Sequence, residues 1–143
     1  MKADACFMSN RQDWETPQWL FDQLNEEFGF TVDVCASEQN HKCDRFYTEE
    51  DDGLSKDWTG ERVWCNPPYG KSKIPAWAKK CAESNCEVAV MLVPARTDTA
   101  WFHEIVISTG AEIRFLRGRL KFVGAQYNAP FPAMVVIFRR ERP

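Results

Sequence analysis

Asn66-Pro67-Pro68-Tyr69 joins an amide acceptor, two fixed φ angles and an aromatic ring in four consecutive residues. Each proline holds φ near about −65° and removes a backbone donor, which leaves the carbonyls of the turn available as acceptors. Asn66 adds a side-chain oxygen, and Tyr69 adds a flat face for a planar ligand. A planar amine with two hydrogens asks for this combination, and an adenine extruded from a nucleic acid is such a ligand. Asn and Pro also end strands in ordinary turns. The tetrapeptide alone therefore leaves its substrate open. Adenine, cytosine N-4, an RNA base and a glutamine amide all present a planar NH2.

The elements that must position this turn follow from apolar spacing. Pro17 opens a helical pattern, with Thr16 expected as its N-cap, Leu20, Phe21, Leu24 and Phe28 on one face, and Gly29 as its stop. Residues 30–34 read as a strand, with a short strand expected at 45–48. The apolar run Val63-Trp64-Cys65 leads into the prolines. A second helix is expected at 74–84, with Ile74, Trp77, Ala78, Cys81 and Ala82 on one face. Residues 87–93 form an uninterrupted apolar run, as in a strand covered on both sides. Thr97 or Asp98 is expected to cap a third helix ending at Gly110. Two further strands are expected near 111–116 (extending to 122 at most) and 133–139, separated by a loop at 123–132.

Strands alternating with helices predict an α/β sheet with parallel pairs and helices on both faces. The last two strands have no helix between them and are expected to pair antiparallel. Ligands of such sheets bind beyond the carboxyl ends of the strands. The Asp33 region, the Asn66–Tyr69 turn and the segment from Pro94 to Arg96 all fall there. Residues 1–12 read as a flexible tail and 13–143 as one domain.

Net charge is −3, but it is unevenly spread. Residues 1–61 hold 15 acidic and 5 basic side chains, and residues 62–143 hold 6 acidic and 13 basic. Such asymmetry points to an anionic partner for the basic half. Lys71 and Lys73 flank the turn, Arg96 follows the apolar strand, and Arg114, Arg117, Arg119 and Lys121 cluster later. These are the candidate contacts to that anionic partner, although alternation at 114–121 also fits the outer face of a strand. The first residues lack an apolar signal region and no run reaches membrane-spanning length, so a cytoplasmic protein is expected. The six cysteines form no C-x-x-C, and His41 and His103 lack ligand spacing, so reduced thiols and no metal are expected.

The chain resembles the phage-type DNA N-6-adenine methyltransferase family from Trp14 to about Phe138. The resemblance rests on Trp14-Glu15-Thr16-Pro17, Asp33-Val34-Cys35-Ala36-Ser37 with Asn40, and Asp52-Gly53-Leu54 with Trp58. Asn66-Pro67-Pro68-Tyr69-Gly70, Pro94-Ala95-Arg96-Thr97-Asp98-Thr99 and Gly118-Arg119-Leu120-Lys121-Phe122 complete it. It implies a Rossmann-like class I methyltransferase sheet with a reversed last strand, and S-adenosylmethionine as methyl donor. It also implies double-stranded DNA as partner, with the protein a monomer or homodimer.

By the same resemblance, Thr16, Pro17, Asp33, Cys35, Ala36, Asp52, Leu54 and Asn66 would line the donor pocket. Asp33 would accept from the methionine ammonium and Asp52 from the donor's adenine amine. Catalysis would fall to Asn66, Pro67, Pro68 and Tyr69. A glycine-rich loop after the first strand is absent, so small Cys35 and Ala36 would allow the backbone its close approach. No separate target-recognition domain fits in 143 residues. Sequence specificity is therefore expected from short loops at 123–132 or 38–58. A catalytically inactive DNA-binding module is the remaining alternative.

Overall fold

The structure is a computed structural model that describes residues 14–70 and 72–140. Its centre is a five-stranded sheet in the order β1-β2-β3-β5-β4. The strands are β1 (Val32–Asp33), β2 (Arg62–Cys65), β3 (Val88–Pro94), β4 (Glu112–Phe115) and β5 (Ala133–Arg139). β1, β2 and β3 pair in parallel, while β5 runs antiparallel to both β3 and β4. One reversed strand thus sits inside an otherwise parallel sheet. All seven residues of β3 are buried, as its uninterrupted apolar run requires.

Helix α1 (Gln18–Phe28) buries Leu20, Phe21, Leu24 and Phe28. It ends at Gly29, whose φ of 62° suits a residue without Cβ and whose N–H donates to the Asn25 carbonyl at 2.8 Å. The expected cap at Thr16 is corrected. Pro17 holds the N-cap position without a side-chain cap bond, and the Thr16 hydroxyl is engaged elsewhere. Helix α2 (Lys73–Glu83) buries Ile74, Trp77, Ala78 and Cys81.

The Phe21 ring meets Trp64 edge-on at 5.4 Å, while Cys65 lies against Cys81 of α2. Neighbouring strand residues point to opposite faces, so α1 and α2 cover the two faces of the sheet.

The expected third helix is a π-helical segment, Phe102–Ile107, with Phe102 and Val106 buried. The Ala111 N–H donates to the Val106 carbonyl across the wider turn. Trp101 holds its N-cap position without a side-chain cap bond, in place of Thr97 or Asp98, and the Thr99 hydroxyl accepts from the Phe102 N–H at 3.4 Å. The expected strand at 45–48 reduces to a single bridge between Phe46 and Asp33. β4 stops at Phe115, and Gly118, at φ 76°, turns the chain three residues later. Extension of β4 to 122 is thereby corrected. Among the described residues, no helix is long and apolar enough to cross a membrane.

Ion pairs concentrate away from the carboxyl edge. Arg114 grips Glu27 through two bonds of 2.7 and 2.8 Å and reaches Glu112 at 2.7 Å, while Arg139 also pairs with Glu112. Both guanidinium groups lie over the Phe28 ring. Arg114 is committed to this network, so it is not one of the free cations the sequence suggested.

Candidate active site

β2 ends at Cys65, paired with Met91 of β3, and the Asn66 turn begins at once. Two prolines offer no N–H to extend the ladder. The Tyr69 hydroxyl instead reaches the Leu92 carbonyl at 2.9 Å, one residue beyond the last β2–β3 pair. The same hydroxyl lies 2.6 Å from Asn66 Oδ1, so its single proton is shared between the two acceptors. On its other side, Asn66 Nδ2 donates to the Trp14 carbonyl at 2.6 Å and to Thr16 Oγ1 at 3.1 Å. A backbone carbonyl can only accept, so these contacts fix which way the amide points. Asn66 Oδ1 faces the turn with one lone pair taken by Tyr69 and one to spare. Among the described residues, no hydrogen bond reaches the Pro67 carbonyl. Asn66 Oδ1 and the Pro67 carbonyl are thus two acceptors of one stiff turn.

Tyr69 departs from the sequence expectation. Its ring is 6 % exposed rather than an open platform. Phe122 and Phe131 pack edge-on to it at 6.4 and 5.8 Å, and both also touch Trp14. Burial pushes its hydroxyl well above the ordinary phenol range, so it stays a neutral donor. The loop after β4 supplies this cover, and sequence gave little sign of it. Phe122 and Phe131 lie more than fifty residues from Tyr69 in an aperiodic stretch.

The first half of the chain wraps the same edge. Asp33, 3 % exposed, accepts from the Cys35 N–H at 3.3 Å and from the Lys42 N–H at 2.8 Å. Its carboxylate therefore shapes the loop after β1. Burial raises its pKa from 3.8 to about 6, against the pull of those two amides and of the charges at His41 and Lys42. The folded chain then binds this proton more tightly than the unfolded chain. Stability falls as pH rises from about 4 to about 6, and above that the charged form costs on the order of 3 kcal/mol. A carbon-detected NMR titration should place the Asp33 midpoint near 6, and Asp33→Asn should flatten the stability profile over that window. A midpoint near 4 would contradict the burial argument.

Segment 52–54 is clasped onto that loop. A Cβ built on Gly53 would come 2.2 Å from the Val34 carbonyl oxygen, so only glycine fits. Asp52 has a φ of 59°, the one positive value outside glycine among the described residues. Left-handed backbone is tolerated by Asp better than by most residues. Its side chain is exposed, and Leu54, Cys35 and Ala36 are half-buried. The Cys35 thiol is pushed up to about 12 by burial and is not a nucleophile. Acidic groups, small residues and a close-packed backbone at one sheet edge suit a cationic ligand with a hydroxylated, planar part. Thr16 and Pro17, both buried, close the edge beside Asn66. Pro17 makes no side-chain polar contact possible and acts by shape.

The candidate DNA contacts divide. Arg96 is exposed and donates to the Tyr69 carbonyl at 3.4 Å. Lys73, Arg117, Arg119 and Lys121 are exposed and form no ion pair among the described residues. Lys71 lies outside the described residues, as does the tail at 1–12. β4 runs parallel to β3, so the segment holding Arg117, Arg119 and Lys121 leaves the sheet at the same edge as the turn. A groove of about 600 Å³ opens beside it, between Ile74 and Pro75 of α2, Arg96, and Trp101 and Ile105. A second hollow, about 360 Å³, lies between Phe21, Phe30, Thr31 and the stretch 42–45, and none of the candidate site residues lines it.

The sheet is Rossmann-like with one reversed strand, and it carries this acceptor turn at its carboxyl edge. A crystal structure of a candidate RNA methyltransferase from Pyrococcus horikoshii shares the fold, with a TM-score of 0.57 over 86 % of this chain and 80 % of that one. At 14 % identity the likeness concerns the fold alone. The family profile for DNA N-6-adenine-methyltransferase (Dam) matches residues 5–142, and the chain belongs to that family.

A DNA N-6-adenine-methyltransferase of Haemophilus phage HP1 is 32 % identical over 94 % of this chain and 83 % of its own length. One from Escherichia phage T1 is 38 % identical over 64 % of this chain and 39 % of its own length. The protein is an enzyme that methylates adenine N-6 in DNA. Among the amines the turn alone leaves open, adenine of DNA is the one transferred to. The family's reaction draws on a methyl donor of the S-adenosylmethionine type.

Proposed function

We propose that the enzyme transfers the methyl group of S-adenosylmethionine to an adenine extruded from double-stranded DNA, with Asn66 and the Pro67 carbonyl accepting from the N-6 amine. The observation that carries this reading is the Asn66 amide, clamped by Trp14 and Thr16 on one side and Tyr69 on the other. The exocyclic nitrogen of adenine is a poor nucleophile because its lone pair is delocalised into the ring. Two acceptors on its two hydrogens favour the pyramidal amine, whose lone pair is localised on nitrogen. That gain is made chiefly in the transition state. Pro67 and Pro68 hold the acceptors in place, so little reorganisation is needed at the moment of transfer. The Tyr69 hydroxyl orients Asn66 Oδ1.

S-adenosylmethionine, when bound, supplies an electrophilic methyl on a sulfonium. Asp33, Cys35 and Ala36 would hold its methionine end through the loop after β1. Asp52 and Leu54 would hold the adenosine end, and Thr16 and Pro17 would close the site by Asn66. The acidic edge formed by Asp33 and Asp52 matches the positive charge of the donor. Titration calorimetry tests this directly: one equivalent of S-adenosylmethionine per chain is expected, with Asp52→Ala weakening it about tenfold. Binding unaffected by Asp52→Ala would remove that residue from the pocket.

Lys71, Lys73, Arg96, Arg117, Arg119 and Lys121 would contact phosphates. Each phosphate contact releases counterions, so the slope of log affinity against log salt should shrink by about one in Arg119→Ala. The measurement is fluorescence anisotropy with labelled duplex at several salt concentrations. An unchanged slope would take Arg119 off the DNA.

A further inference from the structure

The segment leaving β4 holds an exposed ring for which the reaction, as described above, has no use. Arg119 and Lys121 face solvent while Leu120 and Phe122 face inward, so this stretch is a ribbon with a basic outer edge. The ribbon then makes an anchored protrusion. The Ala125 N–H donates to the Phe122 carbonyl at 3.0 Å, around Gly124 at φ 82°. The Ala129 N–H closes the base of the protrusion on the Leu120 carbonyl at 2.7 Å, and the Val123 N–H ties it to the Glu15 carbonyl at 3.0 Å. Between these closures Tyr127 stands 74 % exposed, the most exposed large hydrophobic side chain among the described residues.

Its mounting connects it to the catalytic turn. Tyr127 lies five residues after Phe122 and four before Phe131, and both rings pack edge-on to Tyr69. Four extended residues span at most about 14 Å, comparable with the major groove width of about 12 Å. A ribbon with a basic outer edge thus carries an exposed aromatic ring at most about 14 Å of chain from Phe131, a member of the aromatic cluster around Tyr69. An extruded base leaves a gap in the stack, and an inserted side chain that fills it holds the extruded state open. A tyrosine face stacks on any base, so the device needs no sequence preference.

We infer that Tyr127 is the wedge of this enzyme, a positioning residue that enters the duplex where the target adenine leaves it and stacks in the vacated space. The inference rests on the proposed reading that the substrate is double-stranded DNA and the adenine is extruded. Its test compares wild type, Tyr127→Ala and Tyr127→Phe in single-turnover methylation of two duplex oligonucleotides. Both carry the methylated site identified by modified-base sequencing; one is fully paired and the other has an abasic site opposite the target adenine.

Tyr127→Ala should slow methylation of the paired duplex by about 10- to 100-fold, and the abasic duplex, whose adenine is already unpaired, should restore the rate to within about threefold of wild type. Tyr127→Phe should stay close to wild type on both. Equal slowing of Tyr127→Ala on the two duplexes, or no slowing on either, overturns the wedge. A wild-type enzyme that methylates only single-stranded DNA fails the underlying reading instead, and the two failures are separable.

Discussion

Asn66→Ala should lower single-turnover methyl transfer by about 100- to 1,000-fold, the usual cost of removing one preorganised hydrogen-bonding group from a transition state. The substitution deletes the acceptor oxygen for the adenine amine. It also removes the Nδ2 bonds to the Trp14 carbonyl and the Thr16 hydroxyl and the Oδ1 contact of the Tyr69 hydroxyl. Asn66→Asp separates these effects. It keeps an oxygen toward Tyr69 but places a second oxygen where Nδ2 now meets the Trp14 carbonyl at 2.6 Å. That repulsion displaces the side chain, so an intermediate loss is expected, with S-adenosylmethionine affinity held within about threefold in both variants. Rapid-quench assays with labelled donor give the rates. A rate for Asn66→Ala equal to wild type would remove the side chain from the chemistry.

Gly53→Ala should cost both stability and donor binding. The added methyl would lie 2.2 Å from the Val34 oxygen and 3.2 Å from the Trp77 ring. The first neighbour is backbone at the end of β1, so relief requires the 52–54 segment to lift. Overpacking of this kind costs about 1–3 kcal/mol, which lowers Tm by roughly 3–10 °C in a domain of this size. Trp58, whose indole N–H donates to the Gly53 carbonyl at 3.0 Å, is displaced with it. Lifting the segment also moves Asp52 and Leu54 off the donor pocket, so donor affinity should fall by at least about tenfold. Calorimetry reads both quantities. Gly60→Ala is the comparison: nothing lies within 4 Å of its added methyl, so it carries only the strain of a φ of 76°, about 1–2 kcal/mol. If Gly53→Ala matched it in Tm and bound donor normally, the clasp would play no part in the pocket.

The elements legible in the sequence were those with a long period or a continuous apolar run. β5 spans 133–139 as read, and α2 and β3 lie within one residue of expectation, because each buries one stripe or both faces. β1 shrank to two residues because the Asp33 carboxylate gathers the amides of Cys35 and Lys42 and turns the chain inward. The stretch at 116–132 has no period, and the rings it places on Tyr69 were invisible for that reason. In the site, Asn66 could be named as a candidate acceptor from residue types alone. Its clamp could not, since Trp14 and Thr16 are 52 and 50 residues away in sequence. Gly53 stood in a recognised motif, yet only the contact with Val34 reveals why a side chain is excluded there.

The most direct measurement incubates the enzyme with S-adenosylmethionine bearing a trideuterated methyl group and plasmid DNA from a methylation-free host. The DNA is then digested to nucleosides for mass spectrometry. The account predicts N-6-methyldeoxyadenosine carrying the three deuterons, formed by wild type and reduced to trace levels in Asn66→Ala. Label found on deoxycytidine, or label on deoxyadenosine at the same rate in both proteins, would contradict it.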